Sequence, residues 1–206
     1  MNWLRYDSPL SEGARFLGNL VILNLCYILC CLPIVTIGPA TAALFSALYI
    51  SEDETWAIRK FWRGIRINFR QGLCIWLILL VPTALMVVSF YLVGVLKLPG
   101  YQVIQGLLIV LFLVLACVRS FAYALQARYE NSVKQTLRNA LIIGIYSPIP
   151  SLLMNLMTSI PVIVFLVNLD LFTYVFSFWL LMGFSLVTWI NSRIVSKVLK
   201  HVLPAN

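Results

Sequence analysis

Residues 55–96 read TWAIRKFWRGIRINFRQGLCIWLILLVPTALMVVSFYLVGVL. The first sixteen letters carry five cations and no carboxylate, and the last twenty-six carry no charge at all. A helix of twenty-six residues is roughly 39 Å long, enough to cross a hydrocarbon core of ~30 Å. The alternation recurs along the chain. Residues 16–51, 98–118, 139–169 and 171–192 also lack Asp, Glu, Lys and Arg. Between and after these runs stand Arg128, Lys134 and Arg138, and then Arg193, Lys197 and Lys200. Uncharged runs of this length separated by basic segments describe a polytopic, all-α transmembrane helical bundle. The expectation is five to six membrane helices with two cytoplasmic interfacial amphipathic helices, in one integral membrane domain over residues 1–206.

Composition agrees. The chain is 62% hydrophobic and only 11% charged, against about 25% charged in soluble domains, so lipid is the expected solvent. The net charge of +8 is accounted for by Lys and Arg holding loops on the inner side. A nucleic-acid partner is not expected, since no recognition module accompanies the basic stripe. Cys26, Cys30, Cys31, Cys74 and Cys117 all lie in apolar runs. Without His or carboxylate neighbours at ligand spacing, they read as packing residues, and neither a metal nor a cofactor is expected. The first apolar run exceeds a signal-peptide core of ~7–15 residues.

The order of elements follows from breaks and amphipathic periods. Ser8-Pro9 starts a short amphipathic lead-in helix. Residues 16–51 would reach roughly 54 Å as one helix, and Pro33, Gly38 and Pro39 interrupt them. The expected products are helices over about residues 16–32 and 39–50, the second spanning, re-entering or lying at the interface. Over residues 55–70, Ile58, Phe61, Trp62, Ile65 and Phe69 share one face at 100° per residue. Arg59, Arg63, Arg66 and Arg70 lie opposite, the pattern of a helix lying in the headgroup plane. Residues 71–96, with Pro82 as a kink, then form a span. Residues 97–100 form an external turn and residues 101–125 a span. Residues 129–141 form a second amphipathic helix, residues 147–167 a span, residues 168–170 a turn and residues 171–191 the last span before a basic tail. Arg63…Asn68 and Lys134…Asn139 share a spacing, which suggests a tandem unit of interfacial helix plus hairpin.

No carboxylate lies in any apolar run, although coupled carriers usually place an ionisable or oxygen-rich site at mid-membrane. No phosphate loop, zinc-protease pair or catalytic dyad stands out, and no enzymatic activity is expected. Arg119 lies about 14 Å along the helix from Arg128. It reads either as an anion- or partner-binding group or as a cation snorkelling to the inner headgroups. Asn24 and Asn155 fall inside spans, where interhelical bonding and ligand binding are both open readings. Pro33, Gly38 and Pro39 mark either an unwound site with free carbonyls or a plain kink. Arg59, Arg63, Arg66 and Arg70 face anionic headgroups or an acidic partner.

The string Leu29-Cys30-Cys31-Leu32-Pro33-Ile34-Val35-Thr36-Ile37-Gly38-Pro39-Ala40-Thr41-Ala42-Ala43-Leu44 resembles the YesL-like family of bacterial integral membrane proteins of unknown function, found mainly in Firmicutes. Arg59-Lys60-Phe61-Trp62-Arg63 and Asn68-Phe69-Arg70-Gln71 are similar to it as well. The resemblance implies an association with carbohydrate uptake, through an ABC transporter or a sensor kinase subunit, and supplies no catalytic residues. The expectation is therefore a non-enzymatic accessory protein of the cytoplasmic membrane, multi-pass, with basic loops and C-terminus cytoplasmic. A small-solute permease using residues 33–39 is the alternative. Oligomeric state is not written in these residues.

Overall fold

The computed structural model describes residues 9–49, 57–96 and 100–202, and every regular element among them is helical. The Ser8 cap, the acidic triplet at residues 52–54 and residues 97–99 of the external turn lie outside the described residues. The chain is a multi-pass membrane protein. Among the described residues, five stretches are long and apolar enough to cross a bilayer: Glu12–Cys31, Ala57–Leu96, Tyr101–Arg128, Pro148–Val167 and Leu169–Val202. Their outward faces are apolar in a way that water would not tolerate, as with Val103 at 78% exposure and Val167 at 80%.

Helix α1, Pro9–Cys31, is continuous, so the described part of the expected lead-in helix, from Pro9, belongs to the same helix as the first span. Pro33 then breaks the ladder, and a single 3₁₀ turn, Ile34–Thr36, reverses the chain into α2, Ile37–Tyr49. α2 begins two residues before the expected start, with Gly38 and Pro39 in its first turn, where proline needs no donor partner. The two helices run antiparallel, tied by the Tyr27 hydroxyl at 3.2 Å from Thr41 Oγ1. At thirteen residues α2 is only about 20 Å long, too short to cross. It returns toward the end at which α1 began.

α2 is the centre of the molecule. Nine of its thirteen residues are buried, and its two sides serve two cores. Leu20 and Leu23 of α1 cluster with Ala43, Leu44, Ala47 and Leu48. Ala42 and Phe45 join the other core, which takes in Phe121, Ala122 and Val195 from the rest of the bundle. Small residues let the backbones meet. A Cβ on Gly38 would collide with the Gly72 carbonyl oxygen, and one on Gly72 would stand 2.9 Å from Pro39 Cα and N. Ala43 meets Gly64 in the same way, 3.1 Å from a Cβ there.

The stretch expected as an interfacial helix and then a span is one helix, α3, Ala57–Leu96, forty residues long. Nothing between Arg70 and Gln71 breaks the i→i−4 ladder, and Gly72 and Pro82 are accommodated within it. The buried seam is also displaced from the apolar face read from hydrophobicity. It runs Ala57, Phe61, Gly64, Asn68, Gly72, Ile75 and Leu79, whereas Ile58, Trp62 and Phe69 are exposed. Close packing against α2 selects small residues over bulky ones.

Gly100, at φ 75°, opens α4, Tyr101–Arg128. α5, Val133–Tyr146, is the expected second amphipathic helix, capped by Ser132, whose Oγ accepts from the Gln135 N–H. It buries Thr136, Ala140, Ile143 and Gly144 and leaves Lys134 and Arg138 exposed. α6, Pro148–Val167, ends at Asn168, whose side chain accepts from Leu171 N and starts α7, Leu169–Phe178. A π-helical turn, Trp179–Gly183, joins α7 to α8, Phe184–Val202. The basic tail is thus the last part of a helix that begins at Leu169. The Arg128 guanidinium stacks over the Tyr49 ring at 5.7 Å, and Arg193 over Trp189 at 5.4 Å. The first contact joins the ends of α2 and α4, and Tyr49 packs against the core that includes Val198 and Leu199 of α8.

Candidate functional site

A cavity of about 290 Å³ opens where six helices converge above the α2 keystone. Tyr27, Ile37, Thr41 and Phe45 bring the α1–α2 hairpin to its wall, and Trp76 and Thr83 come from α3. Arg119, Ser120 and Tyr123 of α4 face Asn155 and Thr158 of α6. Trp179, Phe184, Thr188 and Asn191 close the remaining side. Among the described residues its wall has no carboxylate, histidine or cysteine, and no group of three metal-ligating side chains occurs among them elsewhere.

Arg119 and Asn155, two residues singled out from sequence, meet here. Arg119 Nη2 donates to Asn155 Oδ1 at 3.0 Å. Asn155 is itself pinned: its Nδ2 lies 3.0 Å from Ala116 O, 2.7 Å from Ser120 Oγ and 2.8 Å from Ser151 O. The amide therefore cannot flip without taking its N–H groups away from these acceptors, and its oxygen stays turned toward the guanidinium. Asn155 lies two turns into α6, about 10 Å along the helix from Pro148. Arg119 is an exposed residue of the cavity wall, with its guanidinium on Asn155.

The hydroxyls have a consistent polarity. Thr41, Thr83 and Thr158 each donate to the carbonyl four residues earlier, at 2.7 Å. With their protons committed, they offer a ligand lone pairs only. Strong donors come from Arg119 and from the Tyr123 hydroxyl, one helical turn later on the same face. Asn191 is 7% exposed and its Oδ1 has no hydrogen-bond partner.

The other residues singled out from sequence lie elsewhere. Asn24, fully buried, donates to Trp179 O at 3.0 Å and Leu180 O at 2.7 Å, and accepts from Ser185 N at 3.0 Å. Both of its amide protons are committed to the π-helical turn. Pro33 is at the exposed reversal, where the Thr36 hydroxyl bonds the Cys30 carbonyl and, at 2.6 Å, the Pro33 carbonyl. Carbonyls freed by the break are thus taken up locally. Gly38 and Pro39 form the α2–α3 crossing. Arg59, Arg63, Arg66 and Arg70 are exposed along the first half of α3, away from the cavity. All five cysteines are free thiols.

Residues 20–90 match a family model described as protein of unknown function, DUF624. The DUF624 match begins inside α1, takes in the break and α2, and ends in the second half of α3. It contains the Gly38–Gly72 crossing and the α1, α2 and α3 walls of the cavity, whereas Arg119 and Asn155 lie beyond it. No curated protein and no solved structure matches the chain.

Sequence reasoning missed most of the wall. Thr41, Thr83, Thr158 and Thr188 look like ordinary small polar residues of a membrane helix. The one available signal was their offset from Arg119 and Asn155 along helices whose pairing was unknown.

Proposed function

We propose that this protein is a non-enzymatic, solute-binding accessory subunit of a membrane transport or sensing system, set in the cytoplasmic membrane with its basic end inward. The observation that carries this reading is a polar and aromatic cavity with a pinned cation, closed toward the basic end by packed side chains. Phe45, Phe121, Leu125, Val195 and Val198 are all at or below 8% exposure and fill the bundle between the cavity and that end. A bound solute would thus occupy a recess rather than a conduit. Preformed concave sites with a few convergent polar groups are where membrane and soluble proteins hold small molecules. The YesL-like resemblance adds carbohydrate uptake as the system served, with an ABC transporter or sensor kinase subunit as the partner. The exposed arginines of α3 would meet that partner's acidic surface or the anionic leaflet.

Two experiments test this reading. Purified protein reconstituted in liposomes is expected to give no saturable flux of radiolabelled sugars or organic acids above protein-free vesicles. Saturable flux that Arg119→Ala abolishes would replace the accessory reading with a permease. For orientation, single cysteines are placed in a cysteine-free background. An impermeant maleimide is expected to label Gln102→Cys on intact cells and Lys134→Cys only after permeabilisation. The reverse pattern would invert the topology.

A further inference from the structure

We infer that the cavity is a site for a small organic monoanion with a flat apolar body, its carboxylate or phosphate ester on Arg119 and its ring among Trp76, Tyr123 and Phe184. This rests on the solute-binding reading above and names the ligand class of that site.

Charge makes the first argument. Arg119 is the one cation on the described wall. The chain's seven acidic residues are Asp7, Glu12, Glu52, Asp53, Glu54, Glu130 and Asp170, all outside the uncharged runs. None of those described is bonded to Arg119, whose partner is the neutral Asn155. Arg119 is exposed on a helix long and apolar enough to cross a bilayer, and a cation on such a span without a counter-charge is costly. An anion brought by a ligand removes that cost, and a single negative charge is sufficient.

Geometry makes the second. Asn155 fixes one edge of the guanidinium, and the remaining N–H groups keep the fork that matches a carboxylate or phosphate in two parallel bonds. Because Asn155 is itself held by α4 and α6, the fork is placed before the ligand arrives, which limits the ordering cost. The threonine oxygens are acceptors and would repel an anion, so the acidic group has one favourable place to sit. A volume of about 290 Å³ falls just below the roughly 300–1,000 Å³ range of small-molecule pockets. It fits a metabolite-sized body rather than a two-chain lipid.

The test uses full-length protein in phosphatidylcholine nanodiscs, with equilibrium dialysis of radiolabelled indole-3-acetate and its neutral analogue indole-3-acetamide. The acid is expected to bind saturably and at least about tenfold more tightly than the amide, a ratio equal to about 1.4 kcal/mol. Arg119→Gln, which keeps a donor for Asn155, is expected to erase that ratio while the variant elutes as wild type. Arg119→Lys, which keeps the charge without the fork, should retain part of it. Equal binding of acid and amide, both weakened by Trp76→Ala, overturns the anion assignment and leaves the solute site standing. Failure of both to bind removes the solute-binding reading as well. Loss of indole-3-acetate binding when phosphatidylglycerol replaces part of the phosphatidylcholine, in wild type but not in Arg119→Lys, would reassign the anion to a lipid headgroup and overturn the proposal of a soluble ligand.

Discussion

Gly38→Ala is expected to destabilise the protein by about 3 kcal/mol or more, the upper end of what one added methyl costs in a packed interior. The added carbon would meet the Gly72 carbonyl oxygen and the Trp76 Cβ. Neither is the free end of a flexible side chain, so relief requires α2 to move away from α3. That motion opens both cores, because α2 supplies Ala42 and Phe45 to one and Ala43, Leu44, Ala47 and Leu48 to the other. The measurement is the midpoint of thermal unfolding in detergent, followed by the surviving monodisperse fraction. Gly18→Ala and Gly106→Ala are the controls, since a Cβ at either meets nothing within 4 Å. Both should be neutral or raise the midpoint, alanine being favoured over glycine in a helix by roughly 0.5–1 kcal/mol. Gly72→Ala should act like Gly38→Ala, and the double variant should cost less than the sum, since helices already forced apart accept the second methyl more easily. Equal midpoints for Gly38→Ala and Gly106→Ala would mean that the two backbones do not approach as described.

That crossing shows where sequence reading stopped. The uncharged runs, the basic segments and the break at Pro33 are legible because charge and proline act on the local backbone or on its transfer into lipid. The pairing of Gly38 with Gly72 is not, since it depends on the register of two helices about thirty-four residues apart. Hydrophobicity misdirects here. In a bilayer Trp62 and Phe69 are as comfortable facing lipid as facing protein, so the bulky face of residues 55–70 carried no information about burial. Gly64, Asn68 and Gly72, which do line the seam, read as weak points of the same helix. The merger of residues 55–70 with the following span was hidden for a related reason. An amphipathic helix and the basic start of a longer one have the same local pattern, and only the absence of a breaker before Gly72 separates them.

The site divides in the same way. Arg119 stood out because a charge within an apolar stretch needs an explanation, and Asn155 because an amide there needs partners. Their mutual contact, and the aromatic and hydroxyl wall around them, come from four or more helices meeting at one depth. Asn24 had the same signature as Asn155 and a different use, because a buried amide satisfied by backbone looks the same in sequence as one that helps to line a cavity.

Asn24→Leu is the second variant with a large expected effect, about 2–4 kcal/mol of destabilisation at nearly constant volume. The π-helical turn at Trp179–Gly183 spoils the regular ladder, and the Asn24 amide enters the gap as a substitute peptide group. It gives two protons to Trp179 O and Leu180 O and takes one from Ser185 N. Bonds between membrane helices are worth roughly 0.6–1.7 kcal/mol each. A leucine would also leave buried backbone groups without partners, which raises the loss. This account has a consequence that a simple packing defect lacks. Deleting Leu181, which is 54% exposed, removes the extra residue and lets the turn close as an ordinary α-helix. α7 then rotates by about 100° together with Trp179; α7 buries no residue of its own, but Trp179 is only 6% exposed, so its displacement is the main packing cost, with the Phe165–Phe172 edge contact at 5.1 Å adding about 0.5–1.5 kcal/mol. The deletion alone should therefore be destabilising as well, and the double variant should lose clearly less than the sum of the two, since no orphaned carbonyl remains to be served. Additive losses in the double variant would show that Asn24 stabilises the bundle by something other than completing that turn.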